Sequence, residues 1–310
     1  SQAGTTQTTQ NSCTYIGALA GQYEEATNNT AVGAGAMRAT NGSASGGNNV
    51  AIGENAGNAI TTGGYHVLIG TQAGFRLTTA NYTTHIGYRA GRYNTGAYNT
   101  SLGYQALLGV DGSSTGTSNV AIGYNTLKAA TTGYGNTAVG AETLDAVTEG
   151  FYNIGIGPAA GGSITTGDYN IAIGYAAFDA ATTAGSTIAI GYAALSAYSH
   201  GENSFNVAIG TQVAYLKTSG RFNTYIGGYK VADADLTGEY NAYFGSYTNQ
   251  YGTATSNTTL IGYQAGRYAT GSYNTFVGTG AGKGGTTSAP YSSGGNNVAV
   301  GYNALVGFTT

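Results

Sequence analysis

The sequence predicts an all-β protein, a parallel β-solenoid or β-roll of about seventeen coils with a modal repeat of 17 residues. Three observations support this. A short phrase of apolar residues ending in glycine returns along the whole chain. Glycine accounts for 54 of 310 residues, far above the usual share of about 7%. Charged residues are only 7%, where about 25% is typical. We expect one repeat domain over 1–310, with a lead-in at 1–12, irregular coils at 227–252 and a long loop at 283–296.

Seventeen glycines anchor the repeat, and we number each coil from its glycine as position 0. Position −1 is always Ile, Val, Leu or Phe, and position −3 is Val, Ile or Thr in every copy except Ala242. Residues two apart share one face of an extended strand, and β-branched residues favour strands. We therefore expect a strand before each glycine, with the −1 side chains forming an interior ladder. The glycines are Gly17, Gly33, Gly53, Gly70, Gly87, Gly103, Gly123, Gly140, Gly157, Gly174, Gly191, Gly210, Gly227, Gly245, Gly262, Gly278 and Gly301.

Each coil should then contain a glycine corner, a second short strand and a threonine-glycine corner such as Thr131-Thr132-Gly133. Glycine supplies the positive φ that such corners need. Position −4 is Asn in twelve copies. Stacked coils place like residues over like, so we expect these amides to hydrogen-bond along the stack.

Position −2 predicts where a binding site lies. It is Ala or Gly in every copy from Ala121 to Ala208 and then becomes Tyr225, Tyr243, Leu260 and Phe276. If −1 faces inwards, −2 faces outwards, where small residues allow a second chain to approach. Large aromatic residues there, together with Lys230 in the irregular segment, predict a receptor- or glycan-binding site at Tyr225, Lys230 and Tyr243. The alternative is that these aromatic residues fill a wider gap between chains.

Tyrosine also recurs at position +1 and just before position −4. A tyrosine has an apolar face and a polar edge, which suits sugar rings, although repeated tyrosines can also form purely structural stacks. Three inter-repeat segments are longer than usual, at 33–53, 103–123 and 278–301. Loops commonly carry recognition, so these segments are further candidates.

Catalytic and metal-binding patterns are weak. The ten basic residues are scattered, which argues against a nucleic-acid partner, and no apolar run is long enough to span a membrane. The acidic group Asp233, Asp235 and Glu239 lacks a known Ca²⁺-binding spacing. His66 and His85 fall on adjacent coils but lack an apparent third ligand. We therefore predict a non-enzyme without metal or cofactor. Cys13 is the single cysteine and is compatible with a buried thiol, an exposed thiol or an intermolecular link.

The phrase Asn-Val-Ala-Ile-Gly at 119–123 resembles the head repeats of trimeric autotransporter adhesins, which form left-handed parallel β-rolls. The wording GYQAGRYATGSYNTFVG at 262–278 also resembles repeats of phage tail fibres and bacterial surface fibres, which an endosialidase-type chaperone often follows. This resemblance implies a homotrimer outside the cell, on a cell surface or virion, that binds a cell-surface receptor such as a carbohydrate. Two alternatives stay open: a self-polymerising extracellular filament, and an ice-binding solenoid that uses its threonines.

Overall fold

A computed structural model describes residues 3, 12–39, 45–201, 203–285 and 292–308. The described part of the chain contains seventeen short strands and no helix, so the all-β prediction is confirmed. Nearly all of the expected lead-in at 1–12 and the centre of the long loop, 286–291, lie outside the described residues. The chain divides into two compact units, residues 1–153 (unit 1) and 154–310 (unit 2).

Every strand ends one residue before a repeat glycine or at most two residues after it. Unit 1 contains β1 Thr14–Ile16, β2 Thr30–Val32, β3 Val50–Ile52, β4 Val67–Ile69, β5 Thr84–Ile86, β6 Thr100–Leu102, β7 Val120–Ile122 and β8 Thr137–Val139. Unit 2 contains β9 Ile154–Ile156, β10 Ile171–Ile173, β11 Ile188–Ile190, β12 Val207–Thr211, β13 Thr224–Tyr229, β14 Ala242–Phe244, β15 Thr259–Ile261, β16 Thr275–Val277 and β17 Val298–Val300.

Within each unit the strands pair in parallel and in chain order, with equal repeat positions side by side. Val120 lies beside Thr137 and Ile122 beside Val139, and the Gly140 amide donates to the Ile122 carbonyl at 2.8 Å. This arrangement is a parallel β-solenoid with a repeat of about 17 residues, as predicted. The register shifts between β12 and β13, where β13 extends to Tyr229 at the start of the predicted irregular segment.

The prediction of which side chains face inwards is wrong. Side chains at −2 are the enclosed ones, and those at −3 and −1 point outwards: Ala121 is fully buried, whereas Val120 and Ile122 are half-buried. The reason is the width of the coil. The segment after the glycine folds back across the strand and places Leu127 in the interior, also fully buried. Little space remains opposite Leu127, and an alanine fits it.

The side chains at positions −2 and +4 of one coil share the interior, so the size of one affects the space left for the other. In several coils a small residue at −2 stands with a large one at +4, as in Ala121 with Leu127, although Ala51 with Gly57 and Gly155 with Gly161 are small at both positions. In other coils a large residue at −2 stands with glycine at +4, as in Leu68 with Gly74, and a Cβ at Gly74 would meet the Leu68 side chain at 2.8 Å. Tyr225 and Tyr243 are large at −2 without a glycine at +4. The same large-with-glycine pairing occurs in Tyr15 with Gly21, His85 with Gly91, Leu260 with Gly266 and Phe276 with Gly282. Protein interiors are close-packed, so in these coils a large side chain at one position leaves little space at the other.

The residues after the glycine form consecutive turns, and the prediction of a second strand there is wrong. Two residues in each such segment take a positive φ, for example Asn125 at 53° and Leu127 at 49°. Gly123 itself has a φ of 138°, and a Cβ there would collide with the Gly140 carbonyl in the next coil. The repeat glycine is therefore required by the close approach of stacked backbones.

The predicted asparagine ladder is confirmed at position −4. The amide of Asn136 donates to Asn119 Oδ1 at 2.9 Å, and the amide of Asn153 donates to Asn136 Oδ1 at the same distance. Each side chain also donates from Nδ2 to the Thr-Gly corner that follows it, as Asn136 does to the Gly150 carbonyl at 2.8 Å. One asparagine side chain thus accepts from the backbone N–H of the next strand and donates to the carbonyl of the next corner. These bonds satisfy buried backbone groups.

Candidate functional site

The outward face of each unit lacks charge and is apolar at position −1. Positions −3 and −1 of each strand lie on this face together with position −5 just before the strand, and in all seventeen copies none of these residues is charged. Large apolar side chains stay accessible there, including Leu102 at 46% and Ile156 at 41% exposure. Monomeric soluble proteins rarely expose a long apolar patch, so this face is a candidate for contact with another molecule. We call it the strand face.

Two tyrosine-rich columns lie at the edges of the strand face, one at position −5 within it and one at position +1 beside it. In unit 1, Tyr88, Tyr104 and Tyr124 stack with ring centroids 5.3 and 5.4 Å apart. In unit 2, Phe205, Phe222 and Tyr240 stack at 5.2 Å. Stacking covers the flat faces of an inner ring with its neighbours and leaves its edge exposed. The structural reading of these columns is therefore supported, and a sugar ring cannot stack on the covered faces.

The predicted receptor-contact residues Tyr225 and Tyr243 lie inside unit 2. Both are fully buried, and their rings stack on each other at 5.0 Å. They occupy position −2, which faces inwards, so their expected place on the outer face is wrong. A receptor does not reach them in the folded coil. These tyrosines fill the interior where neighbouring coils use alanine.

A buried polar network surrounds these two tyrosines. Tyr225 donates its hydroxyl to Asp235 Oδ2 at 3.0 Å, and Asp235 Oδ1 accepts the Gly238 amide at 3.0 Å. Lys217 is also fully buried and donates Nζ to the Gly238 carbonyl at 2.7 Å. Burial lowers the pKa of Lys217 and raises the pKa of Asp235, while the charge of each partner opposes the other's shift.

The second half of this network is centred on Tyr243. Its hydroxyl is 2.6 Å from Thr255 Oγ1 and accepts from Asn249 Nδ2 at 3.2 Å. Burial raises the pKa of both tyrosines well above its usual range, with the nearby Asp235 carboxylate as a second cause. Most polar groups of the network have internal partners, whereas Asn249 Oδ1 is buried without a hydrogen-bond partner in the described part of the chain.

Lys230, the third predicted contact residue, lies at the surface. Its Nζ is 3.3 Å from Asp233 Oδ2 and 5.6 Å from the centre of the Tyr229 ring. The charge of Asp233 raises the pKa of Lys230. The structure therefore separates Lys230 from the two buried tyrosines, and the three do not form one site.

The acidic group and the histidines are also separated. Asp235 is buried and Glu239 is 3.6 Å from Arg221, away from the Lys230–Asp233 pair. Over the described ranges, no three His, Cys, Asp or Glu side chains come close enough to hold a metal ion.

His66 and His85 are both enclosed in unit 1. His66 Nδ1 is 2.8 Å from Thr83 Oγ1, and His85 Nδ1 is 2.8 Å from Ser101 Oγ. Their Nε2 atoms are buried without a hydrogen-bond partner in the described part of the chain. Burial lowers the pKa of His66 to about 4 and that of His85 to about 3, so both rings are neutral at pH 7.

A cleft in unit 1 was only partly anticipated. It has a volume of about 310 Å³ and is lined by Arg76, Thr78, Tyr93, Thr95 and Asp111, among others. The long step 103–123 indicated that a loop lies here, and the loop carries Asp111. The partners Arg76 and Tyr93 could not be found from spacing alone, because they come from the two preceding coils.

We compared the chain with known proteins and found no related protein. No protein-family model, curated protein or solved structure matches this chain. A search of the described residues also finds no helix that is long and apolar enough to cross a membrane.

Proposed function

We propose that this chain is a non-enzymatic subunit of an extracellular fibre that assembles as a homotrimer and binds a cell-surface receptor, of carbohydrate chemistry. The observation that carries the proposal is the strand face. It carries no charge at positions −5, −3 and −1 and presents Ile, Val, Leu or Phe at every position −1, in a chain whose interior is filled by other positions.

A second copy of the same chain fits this face best. The columns repeat with every coil, so copies aligned along the stacking direction meet equal columns at equal heights. Depletion of charge is typical of the centre of homo-oligomer interfaces. Closed rotational symmetry is the usual arrangement of such copies, and the resemblance to adhesin and fibre repeats favours three of them.

The receptor, the carbohydrate chemistry and the location outside the cell rest on the same resemblance. Tyr225 and Tyr243 are no longer part of this proposal because they are enclosed. Lys230 stays as a surface candidate.

Binding of the labelled chain to an array of cell-surface oligosaccharides, and to intact bacterial cells, tests the receptor function. We expect saturable binding to at least one glycan class and competition by the same glycan in solution. An oligomer that binds neither the array nor cells of any surface type would contradict the proposed function.

An ice-binding role is the second candidate, because threonine occupies the outward position −3 in eight of the seventeen copies. A thermal-hysteresis measurement separates the two, since a fibre subunit should not depress the freezing point beyond its colligative effect. A self-polymerising filament would instead appear in electron micrographs as fibres of indefinite length.

A further inference from the structure

We propose that the cleft of unit 1 between Arg76, Tyr93 and Asp111 binds one neutral pyranose unit of a glycan. This inference deepens the receptor part of the proposed function and rests on it. It places the glycan contact at an accessible cleft, whereas Tyr225 and Tyr243 are buried and cannot contact a glycan. Three consecutive coils each contribute one wall of this cleft.

The cleft exists because the loop of the third coil is built differently. Arg76 and Tyr93 stand at position +6 of their coils, where the next coil has Gly109. Gly109 has a φ of 74°, and a Cβ there would meet the Ser114 side chain at 2.6 Å. Glycine at this position lets Ser114 pack against the backbone, and the residues that follow bring Asp111 to within 3.1 Å of Arg76.

The loop is held in place before any ligand arrives. Ser114 Oγ accepts the Val110 amide and donates to the Ala130 carbonyl, both at 2.6 Å. Thr95 Oγ1 donates to the Ser114 carbonyl at 2.9 Å. The loop is thus bonded to the coils on either side of it. Binding to a preformed site avoids the entropy cost of ordering a loop.

The charges of the cleft favour an uncharged ligand. Arg76 Nη2 and Asp111 Oδ2 are 3.1 Å apart, so the two charges compensate each other. Both side chains are half-exposed, at 51% and 52%, and can still bond outwards. Together they offer guanidinium donors beside carboxylate acceptors, which matches the neighbouring hydroxyls of a sugar, since each hydroxyl both donates and accepts.

The remaining walls supply the apolar and hydroxyl surfaces that a sugar also uses. The Tyr93 ring lines the cleft, and the Arg92 guanidinium carbon lies 4.6 Å from the ring centre, which fixes the ring in position. Thr78 and Thr95 add hydroxyl groups to the lining. A volume near the lower end of ligand pockets, about 300 Å³, suits one or two sugar rings and excludes a long stretch of chain.

The Arg76–Asp111 ion pair contributes little to the stability of the fold. Exposed ion pairs contribute only about 0–1 kcal/mol, so removing this one should leave the fold intact. The variants Arg76→Ala and Asp111→Asn therefore report on binding. Lys128 and Asp145 form a comparable exposed pair in the same unit, 2.9 Å apart, and Lys128→Ala serves as a matched control.

The test uses the full chain with methyl glycosides of glucose, galactose, mannose and N-acetylglucosamine and with the methyl glycoside of sialic acid as the charged comparison, measured by saturation-transfer NMR and calorimetry. We expect at least one glycoside to bind with a Kd of about 1 mM, typical of a single small ligand. Arg76→Ala and Asp111→Asn should each weaken it about tenfold or more, because bonds to charged groups are lost, and Tyr93→Ala should weaken it about tenfold because the aromatic wall is lost. Lys128→Ala should leave the Kd unchanged.

Three results would overturn the inference. They are no binding of any glycoside at about 10 mM, equal affinity in wild type and the three cleft variants, or preferential binding of a sialoside over every neutral glycoside. If the wild-type chain still binds cells or the glycan array in those cases, the receptor function stands and the cleft alone is wrong. If array and cell binding are also absent, the proposed function fails as well.

Discussion

Individual buried polar residues determine what each coil can hold at its centre. In unit 2 the Tyr243 hydroxyl, Thr255 and Asn249 hydrogen-bond to one another, while Asn249 Oδ1 is buried without a partner among the described residues. In unit 1 two neutral histidines are enclosed, His85 at position −2, where the preceding coil has Leu68, and His66 at position −4. A partly satisfied buried network costs free energy, so these residues should be sensitive to small changes.

Tyr243→Phe should destabilise unit 2 by about 1–2 kcal/mol, because the change leaves buried Thr255 and Asn249 groups without their partner. Tyr263→Phe is the control: this tyrosine is 48% exposed and its hydroxyl contacts Gln264 Nε2 at 3.2 Å. Its loss should stay within about 0.5 kcal/mol. Denaturation midpoints of the two variants measure the difference. Equal midpoints would mean that Tyr243 is not enclosed.

Acid should destabilise unit 1 through His66 and His85. Their folded pKa values, about 4 and about 3, lie below the ordinary 6.5, so below pH 6.5 the unfolded chain binds more protons than the folded one. Stability therefore falls as the pH drops from about 6.5 towards 3. The loss between pH 7 and pH 4 should be on the order of 3 kcal/mol per histidine.

His85→Leu isolates this effect, since leucine opposite glycine already occurs at Leu68 with Gly74. Glu24 contributes with the opposite sign, because burial raises its pKa to about 8 and its folded form gains protons as the pH falls from 8 to 4.5. The comparison of wild type with His85→Leu cancels that contribution. Thermal unfolding at pH 7 and pH 4 should show a smaller acid loss in the variant. An equal loss would place the His85 ring in solvent.

Each coil is an element whose strand and returning turn share one small interior. The strand supplies position −2 and the turn supplies position +4, so the two positions should compensate for each other. Ala121 with Leu127 and Leu68 with Gly74 are two solutions of the same volume.

Exchanging these solutions tests the compensation. Ala121→Leu should cost about 1–3 kcal/mol by overpacking, and Leu127→Gly about 3 kcal/mol or more by leaving a cavity. The double variant should recover about 1–3 kcal/mol relative to the sum of the single changes. Met37→Gly, opposite Ala31 in a distant coil of unit 1, is the control and should add to Ala121→Leu without coupling. Additive losses in Ala121→Leu with Leu127→Gly would contradict the proposed packing.

The same interior explains what sequence patterns could and could not predict. Spacing of the glycines was enough to locate all described strands and the asparagine ladder, because these depend on equal residues in equal places. The inward face was predicted wrongly because Ile and Val are more hydrophobic than Ala. The turn after the glycine fills most of the interior. The alternation of residues within a three-residue strand does not reveal this. The cleft needs three coils at once, so only its loop, at 103–123, was visible.

At the scale of the whole molecule, the strand face is the feature that needs a partner. Its apolar side chains remain exposed in one copy, and the bordering tyrosine columns are ordered by their own stacking. Burial of apolar area stabilises association by about 25 cal/mol per Å² before the costs of binding are subtracted. We therefore expect single copies of the chain to associate through this face.

Light scattering coupled to size-exclusion chromatography tests this central claim most directly. At micromolar concentration the wild-type chain should elute as a species of three times its 31.1 kDa mass. The variant Ile122→Asp with Ile173→Asp, which places charges on the strand face, should shift this species towards the monomer, whereas Thr132→Asp, at an exposed corner, should leave it intact. A wild-type chain that stays monomeric, or a trimer that persists unchanged in the strand-face variant, would contradict the account.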